Sequence, residues 1–273
     1  MNRLCILVIP LLVACEERSS RKEELRVVLG RGSEFTFVWI AYPTITPRRH
    51  VNEDEGGFDH SQRMPDIAGG FWLCREETTQ KAWKEVMGHN HSAHDSDDGL
   101  HPAECVENVQ GFLNDMGSHV SHVVMNGKRT KLEIRFRLPT EIEWEYACKG
   151  GTTSTFHWGE SKEAITEFGW VKCNSSNRTH KVGLKKPNNY GLYDMVGNVA
   201  ELCSDTYRDD AWKTVTNVAD DRVMGYRRVV IRGGSYASDW IDCQSTSRDE
   251  SIEDCMRDYV GFRIIAEVRR DRR

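Results

Sequence analysis

Pro187-Asn188-Asn189-Tyr190-Gly191-Leu192-Tyr193-Asp194-Met195-Val196-Gly197-Asn198-Val199-Ala200-Glu201 is the stretch on which the fold turns. It is dense in turn formers and shows neither the period of a helix nor that of a strand. Its apolar residues sit singly among Asn, Gly and acidic side chains. A tight loop of this kind brings backbone carbonyls to one point. The flanking carboxylates, Asp194 and Glu201, lie at either end of that loop.

Further strings stand around it in a fixed order. Downstream come Arg232-Gly233-Gly234-Ser235-Tyr236 and then Gly261-Phe262-Arg263. Upstream, Arg137-Leu138-Pro139-Thr140-Glu141-Ile142-Glu143-Trp144-Glu145-Tyr146-Ala147 reads as a helix start. Pro139 precedes it, Thr140 caps it, and Glu143 completes a capping box; Gly150-Gly151 ends it. A second helix opens after Thr78-Thr79-Gln80 and runs to Met87, stopped by Gly88. A third is expected over 106–116. Strands are expected at Arg26 to Leu29, Phe35 to Ala41, Lys131 to Arg137, Arg228 to Arg232 and Gly261 to Val268. Short strands, few helices and long loops specify an irregular α+β domain. The Gly233-Gly234 pair permits backbone angles and close chain approaches barred to other residues.

The remaining motifs are Phe71-Trp72-Leu73 with Glu76-Glu77-Thr78-Thr79-Gln80, Val86-Met87-Gly88-His89-Asn90, Trp158-Gly159, and Thr179-His180-Lys181-Val182-Gly183. From Phe71 to Arg263 the ordered set resembles the formylglycine-generating enzyme, or sulfatase-modifying factor, family. The resemblance implies an elaborated C-type-lectin-like fold, with short sheets, few helices and long ordered loops. It also implies a calcium ion held by the side chains of Asp194 and Glu201 and the carbonyls of Gly197 and Val199. Oxygen donors gathered by a tight loop suit a hard cation. The family's usual Trp residues after this loop are replaced by Ala200 and Leu202.

The 273 residues are 38% hydrophobic and 29% charged, a soluble globular composition sufficient for one large domain or two small ones. A net charge of -5 and the lack of a basic, aromatic-studded stripe exclude nucleic acid as the expected partner. The terminal Arg269-Arg270-Asp271-Arg272-Arg273 reads as a solvated end.

Leu4 to Val13 is an apolar run of signal-peptide length, preceded by Arg3 and followed by Ala14-Cys15. Leu12-Val13-Ala14-Cys15 resembles a bacterial lipobox, with Cys15 as the acylated first residue. The chain therefore divides into a signal at 1–15, a flexible tether at 16–30 and the domain at 31–273. The expected location is an exported, membrane-anchored lipoprotein of the periplasm or cell surface, or else a secreted protein. Seven cysteines remain beyond Cys15, an odd number with no zinc-type C-x-x-C pair. His89, His91, His94 and His101 with Asp95, Asp97 and Asp98 have irregular spacing, and read as a solvated loop rather than a metal site.

Oxidase members of the family place two Cys after Arg-Gly-Gly-Ser-x, where they bind copper(I), a soft ion that prefers thiolates. In this chain the first position is Ser238 and the second is Cys243 when counted forward. Counted back from Gly261, Arg248 takes the family's Ala-Arg place and Cys243 is no catalytic Cys. Either way the pair is incomplete. If the chain is an oxidase converting sulfatase Cys to formylglycine, Cys243 carries the chemistry with copper. The expected reading is instead a peptide- or protein-ligand-binding or accessory protein, with Ser238, Asp239, Trp240, Asp242, Asp249 and Tyr259 as contacts in the segment 237–259. A further alternative is the ligand-binding variable protein of a diversity-generating retroelement, whose mutable asparagine codons cannot yield the Trp240, Gln244, Glu250 and Met256 found here.

Overall fold

A computed structural model describes residues 23–41, 69–208, 222–223, 226–254 and 256–269. In chain order the elements are β1 Glu24–Leu29, β2 Glu34–Ala41, β3 Gly70–Cys74, α1 Gln80–Met87, α2 Val109–His119, β4 Val120–Met125, β5 Lys128–Thr130, β6 Glu133–Arg137, α3 Glu141–Lys149, α4 Ile165–Phe168, β7 Ala200–Thr206, β8 Arg222–Val223, β9 Tyr226–Arg232, β10 Arg248–Ile252, β11 Val260–Gly261 and β12 Ile265–Arg269.

Seven strands form one sheet in the order β5-β4-β1-β2-β3-β12-β6. The second sheet runs β10-β9-β7-β11, with β8 paired to β9. Side-chain alternation on β2 explains how the large sheet is covered on both faces. Phe35 and Phe37 point into a cluster with Trp83 of α1 and Phe112 of α2. Val38 and Ile40 point the other way, against Trp144, Ala147 and Cys148 of α3 and Val230 of the second sheet. In the first cluster Trp83 stacks on Phe112 at 5.2 Å, and Phe262 meets both rings edge-on.

The helix ends follow local chemistry. Thr140 Oγ1 accepts from Glu143 N, and the Glu143 carboxylate accepts from Thr140 N at 2.8 Å, which completes the capping box. α1 is capped by Thr79 and closed by Gly88 at φ 81. The third helix begins at Val109 rather than at 106: Cys105 and Asn108 both have φ 53, a left-handed geometry that no α-helix continues, and Asn108 instead caps the helix through Gly111 N.

Two further expectations are corrected. Residues 24–29 do not belong to a tether. They form β1, paired to both β2 and β4, with Leu25 and Val27 fully buried. The domain therefore includes the end of the 16–30 segment; residues 1–22, Cys15 among them, lie outside the described residues. The single strand expected over Gly261 to Val268 is two. β11 pairs in parallel with β7, and β12 pairs antiparallel with β3 and β6. The chain changes sheets between them, and Arg263 lies at that crossing.

Candidate ligand-binding face

The 187–201 loop is built around Asn198 and Gly197. A Cβ on Gly197 would lie 2.1 Å from the Trp170 carbonyl oxygen, and its φ is 75, so no other residue fits there. Asn198 N donates to that carbonyl at 2.7 Å. Its side chain accepts from His180 N and donates to Glu77 Oε2 at 2.6 Å. Burial, with Asp194 and Glu201 nearby, pushes the Glu77 carboxyl well above its usual range.

The site expected for calcium is met unevenly by its ligands. Asp194 is suited to it: its Oδ2 accepts from Gly183 N, and its buried Oδ1 has no partner among the described residues. Glu201 is already committed. Arg263 donates to it through Nε at 2.6 Å and Nη2 at 2.5 Å, and Trp144 Nε1 donates to Oε2 at 2.6 Å. The guanidinium brings one positive charge to the three buried carboxylates Glu77, Asp194 and Glu201. The backbone at Gly197 and Val199 is fixed by the same loop.

Arg232, of the Arg-Gly-Gly-Ser string, is 1% exposed and serves the frame. It pairs with Glu145 of α3 and donates to the carbonyls of Ser245, Thr246 and Ser247. Arg248 grips Glu141 through two nitrogens at 2.8 and 3.0 Å and lies over the Tyr207 ring. These two arginines tie 245–248 to α3, and so set the course of the chain that follows Tyr236.

That chain lines two neighbouring clefts. The larger, about 500 Å³, is bounded by Arg232 to Ser235, Ser238, Ile241, Asp242, Gln244, Asp249 and Tyr259. The smaller, about 270 Å³, is lined by Lys162, Ile165, Val171, Cys173, Ser238, Asp239 and Trp240. The six expected contacts are thus divided: Asp242, Asp249 and Tyr259 in one cleft, Asp239 and Trp240 in the other, and Ser238 between them. Trp240 is 40% exposed and Ile241 54%, so neither belongs to the core. Lys162 Nζ lies 5.4 Å from the Trp240 ring centre, and Lys172 pairs with Asp239 at 2.9 Å. Lys162, Lys172, Cys173 and Ile241 were not legible as site residues. They come from a distant segment or carry no chemical motif.

Neither residue at the oxidase positions fits copper. Ser238 Oγ accepts from Ser235 N at 3.0 Å and closes the turn. Cys243 is fully buried with Phe156, Ile165, Val171 and Val196. Gly234 covers it so closely that a Cβ there would lie 2.4 Å from Sγ. Burial pushes the Cys243 thiol up to about 12, so it stays protonated at neutral pH. Cys74, Cys105, Cys148, Cys173, Cys203 and Cys243 are all free thiols, and of these Cys173 is the exposed one. Among the described residues no group of three or more His, Cys, Asp or Glu is placed to hold a metal. The His-rich loop is pinned, not solvated throughout. Glu104 accepts from Ala93 N and His94 N, and His101 is buried against Thr179.

The chain belongs to the sulfatase-modifying factor enzyme 1-like domain family, whose model matches residues 39–268. It is similar to the formylglycine-generating enzyme of Mycobacterium tuberculosis (strain ATCC 25618 / H37Rv), 30% identical over 162 residues, covering 48% of this chain and 51% of that one. It is similar also to chaperone protein LppX of Paenibacillus barcinonensis, 29% identical, covering 49% and 61%. The chain thus spans about half to three fifths of the length of these two relatives. Among solved structures, Treponema denticola variable protein 1 superposes with a TM-score of 0.67 at 28% identity, covering 88% of this chain and 98% of that one. PvdO from Pseudomonas aeruginosa superposes with 0.61 at 21% identity, covering 88% and 97%. The fold is the α+β, C-type-lectin-like fold of the formylglycine-generating type.

Proposed function

We propose that this chain is a ligand-binding member of its family and not an oxidase, with residues 237–259 as the binding face for a peptide or protein. One observation carries the reading. Where an oxidase needs two accessible thiolates, this chain has a turn-closing Ser238 and a Cys243 sealed beneath Gly234, while Trp240 and Ile241 project into solvent beside two clefts. Exposed aromatic and aliphatic side chains gathered at a cleft mark an interaction site. The likeness to a variable protein and to a chaperone supports binding over chemistry. Exposed positions hold Trp240, Glu250 and Met256, residues that asparagine-codon mutagenesis does not produce; this favours a ligand face of fixed sequence over a diversified one. The lipobox-like Cys15 adds export and a membrane tether to the proposal.

The test incubates purified protein with copper(I), oxygen and a peptide carrying the Cys-x-Pro-x-Arg string, and follows thiol loss and aldehyde gain by mass. Expected is no turnover, with peptide binding that weakens in Trp240→Ala. Copper-dependent turnover abolished by Cys243→Ser overturns the reading.

A further inference from the structure

The segment 237–259 carries seven carboxylates against two arginines, a net of -5 that equals the charge of the whole chain. Most of these carboxylates are already answered. Asp239 pairs with Lys172, Glu250 with Arg228 and Glu253 with Arg227. Asp254 accepts from Asn108 N, and Asp258 from the Tyr236 hydroxyl. Two, Asp242 and Asp249, have neither an ion pair nor a hydrogen bond from a residue remote in sequence among the described residues. Both line the larger cleft. Asp249 accepts only from the neighbouring Glu250 N, at 2.7 Å.

The cleft's own arginines do not offset them. Arg232 is spent on Glu145 and Arg248 on Glu141. The cleft thus presents two carboxylates without a contact ion pair over a neutralised floor; Lys172, which is held by Asp239, acts on Asp242 only through space. Ile241 stands on its rim, 54% exposed, and the next residue back, 40% exposed Trp240, faces the adjoining cleft. Two apolar side chains beside a negative hollow are matched by a chain with an apolar residue next to a cation.

Resting on the binding reading above, we infer that the partner docked here is a basic polypeptide segment. A Lys or Arg side chain enters between Asp242 and Asp249, and an adjacent apolar side chain lies on Ile241 and Trp240. A neutral or acidic segment in the same place would desolvate both carboxylates without supplying a counter-charge, which costs binding energy instead of adding it.

Three fluorescein-labelled hexapeptides test this by fluorescence anisotropy: Ala-Leu-X-Phe-Gly-Ala with X as Arg, citrulline or Glu. Citrulline keeps the shape of Arg and removes its charge. The Arg peptide should bind the wild-type protein about tenfold or more tightly than the citrulline peptide, and the Glu peptide should bind weakest. Rising salt should weaken the Arg peptide alone. Asp242→Asn with Asp249→Asn should bring the Arg peptide down to the citrulline level, with the fold checked by circular dichroism. Equal binding of Arg and citrulline peptides, both weakened by Trp240→Ala, overturns the cationic partner and leaves the binding reading standing. Absence of binding by all three peptides at millimolar concentration overturns both. The wild-type comparison needs no variant, so a misfolded substitution does not blunt the result.

Discussion

Arg263 and Glu201, 62 residues apart, are joined by a two-point ion pair with no measurable exposure of either residue. The pair lies where the chain leaves the small sheet at β11 and enters the large one at β12. Arg263 also donates to the carbonyls of Cys74, Arg75 and Tyr193. One guanidinium thereby links both sheets and the 187–201 loop.

Removing either partner leaves the other charge buried and unpaired, at about 3–5 kcal/mol. Arg263→Met and Glu201→Gln should each lower stability by this amount in urea denaturation. Because Arg263 already meets the Glu201 carboxylate, a calcium chelator should leave the wild-type melting temperature unchanged. A clear fall with chelator that is lost in Asp194→Ala would instead establish the calcium site.

Burial raises the Asp194 carboxyl from its usual 3.8 to about 6. The folded state then holds a proton that the unfolded chain has already lost. Stability should therefore be highest below pH 4 as far as this group is concerned, fall as pH rises towards 6, and level off above it, a loss of about 3 kcal/mol. Glu77 is shifted in the same direction and adds to the slope. Asp194→Asn should flatten the profile between pH 4 and 6; an unchanged slope would remove Asp194 from the account.

Thiol chemistry should separate the cysteines. Brief iodoacetamide treatment of the native protein, read by peptide mass mapping, should alkylate exposed Cys173. Cys243, Cys148 and Cys203 should react only after unfolding, since burial keeps each thiol protonated and out of reach. Alkylation of Cys243 as fast as Cys173 would reopen the oxidase reading.

Mass spectrometry of the mature N-terminus should find Cys15 as the first residue, carrying acyl chains. A free, unmodified residue at another position would reject the lipid anchor while leaving secretion possible.

What could be read without the structure was local. Thr140 and Glu143 cap their helix through atoms three residues apart, and Gly88 and Gly150 end theirs by a backbone angle of their own. Such signals lie within one turn of chain. The turn-rich loop before Glu201 likewise declares itself by composition, and with its neighbouring strings it specifies the family fold.

What only the tertiary structure decided depended on partners remote in sequence. β7 carries a buried charge, Glu201, which breaks the apolar pattern of a strand and is tolerated because Arg263 meets it. The strand expected over Gly261 to Val268 splits because its two ends pair in different sheets, β11 with β7 and β12 with β3 and β6. Cys243 looks like an active-site thiol by its count from Tyr236, yet it is packed beneath Gly234 and against Phe156 and Val171. Trp240, three residues before it, is expected as a ligand contact, and it is the fold that leaves it exposed beside a cleft. Sequence spacing places a residue on the chain; its burial and its counter-charge are set by segments tens of residues away, and those two quantities separate a thiolate from a packed thiol and a ligand contact from a strut.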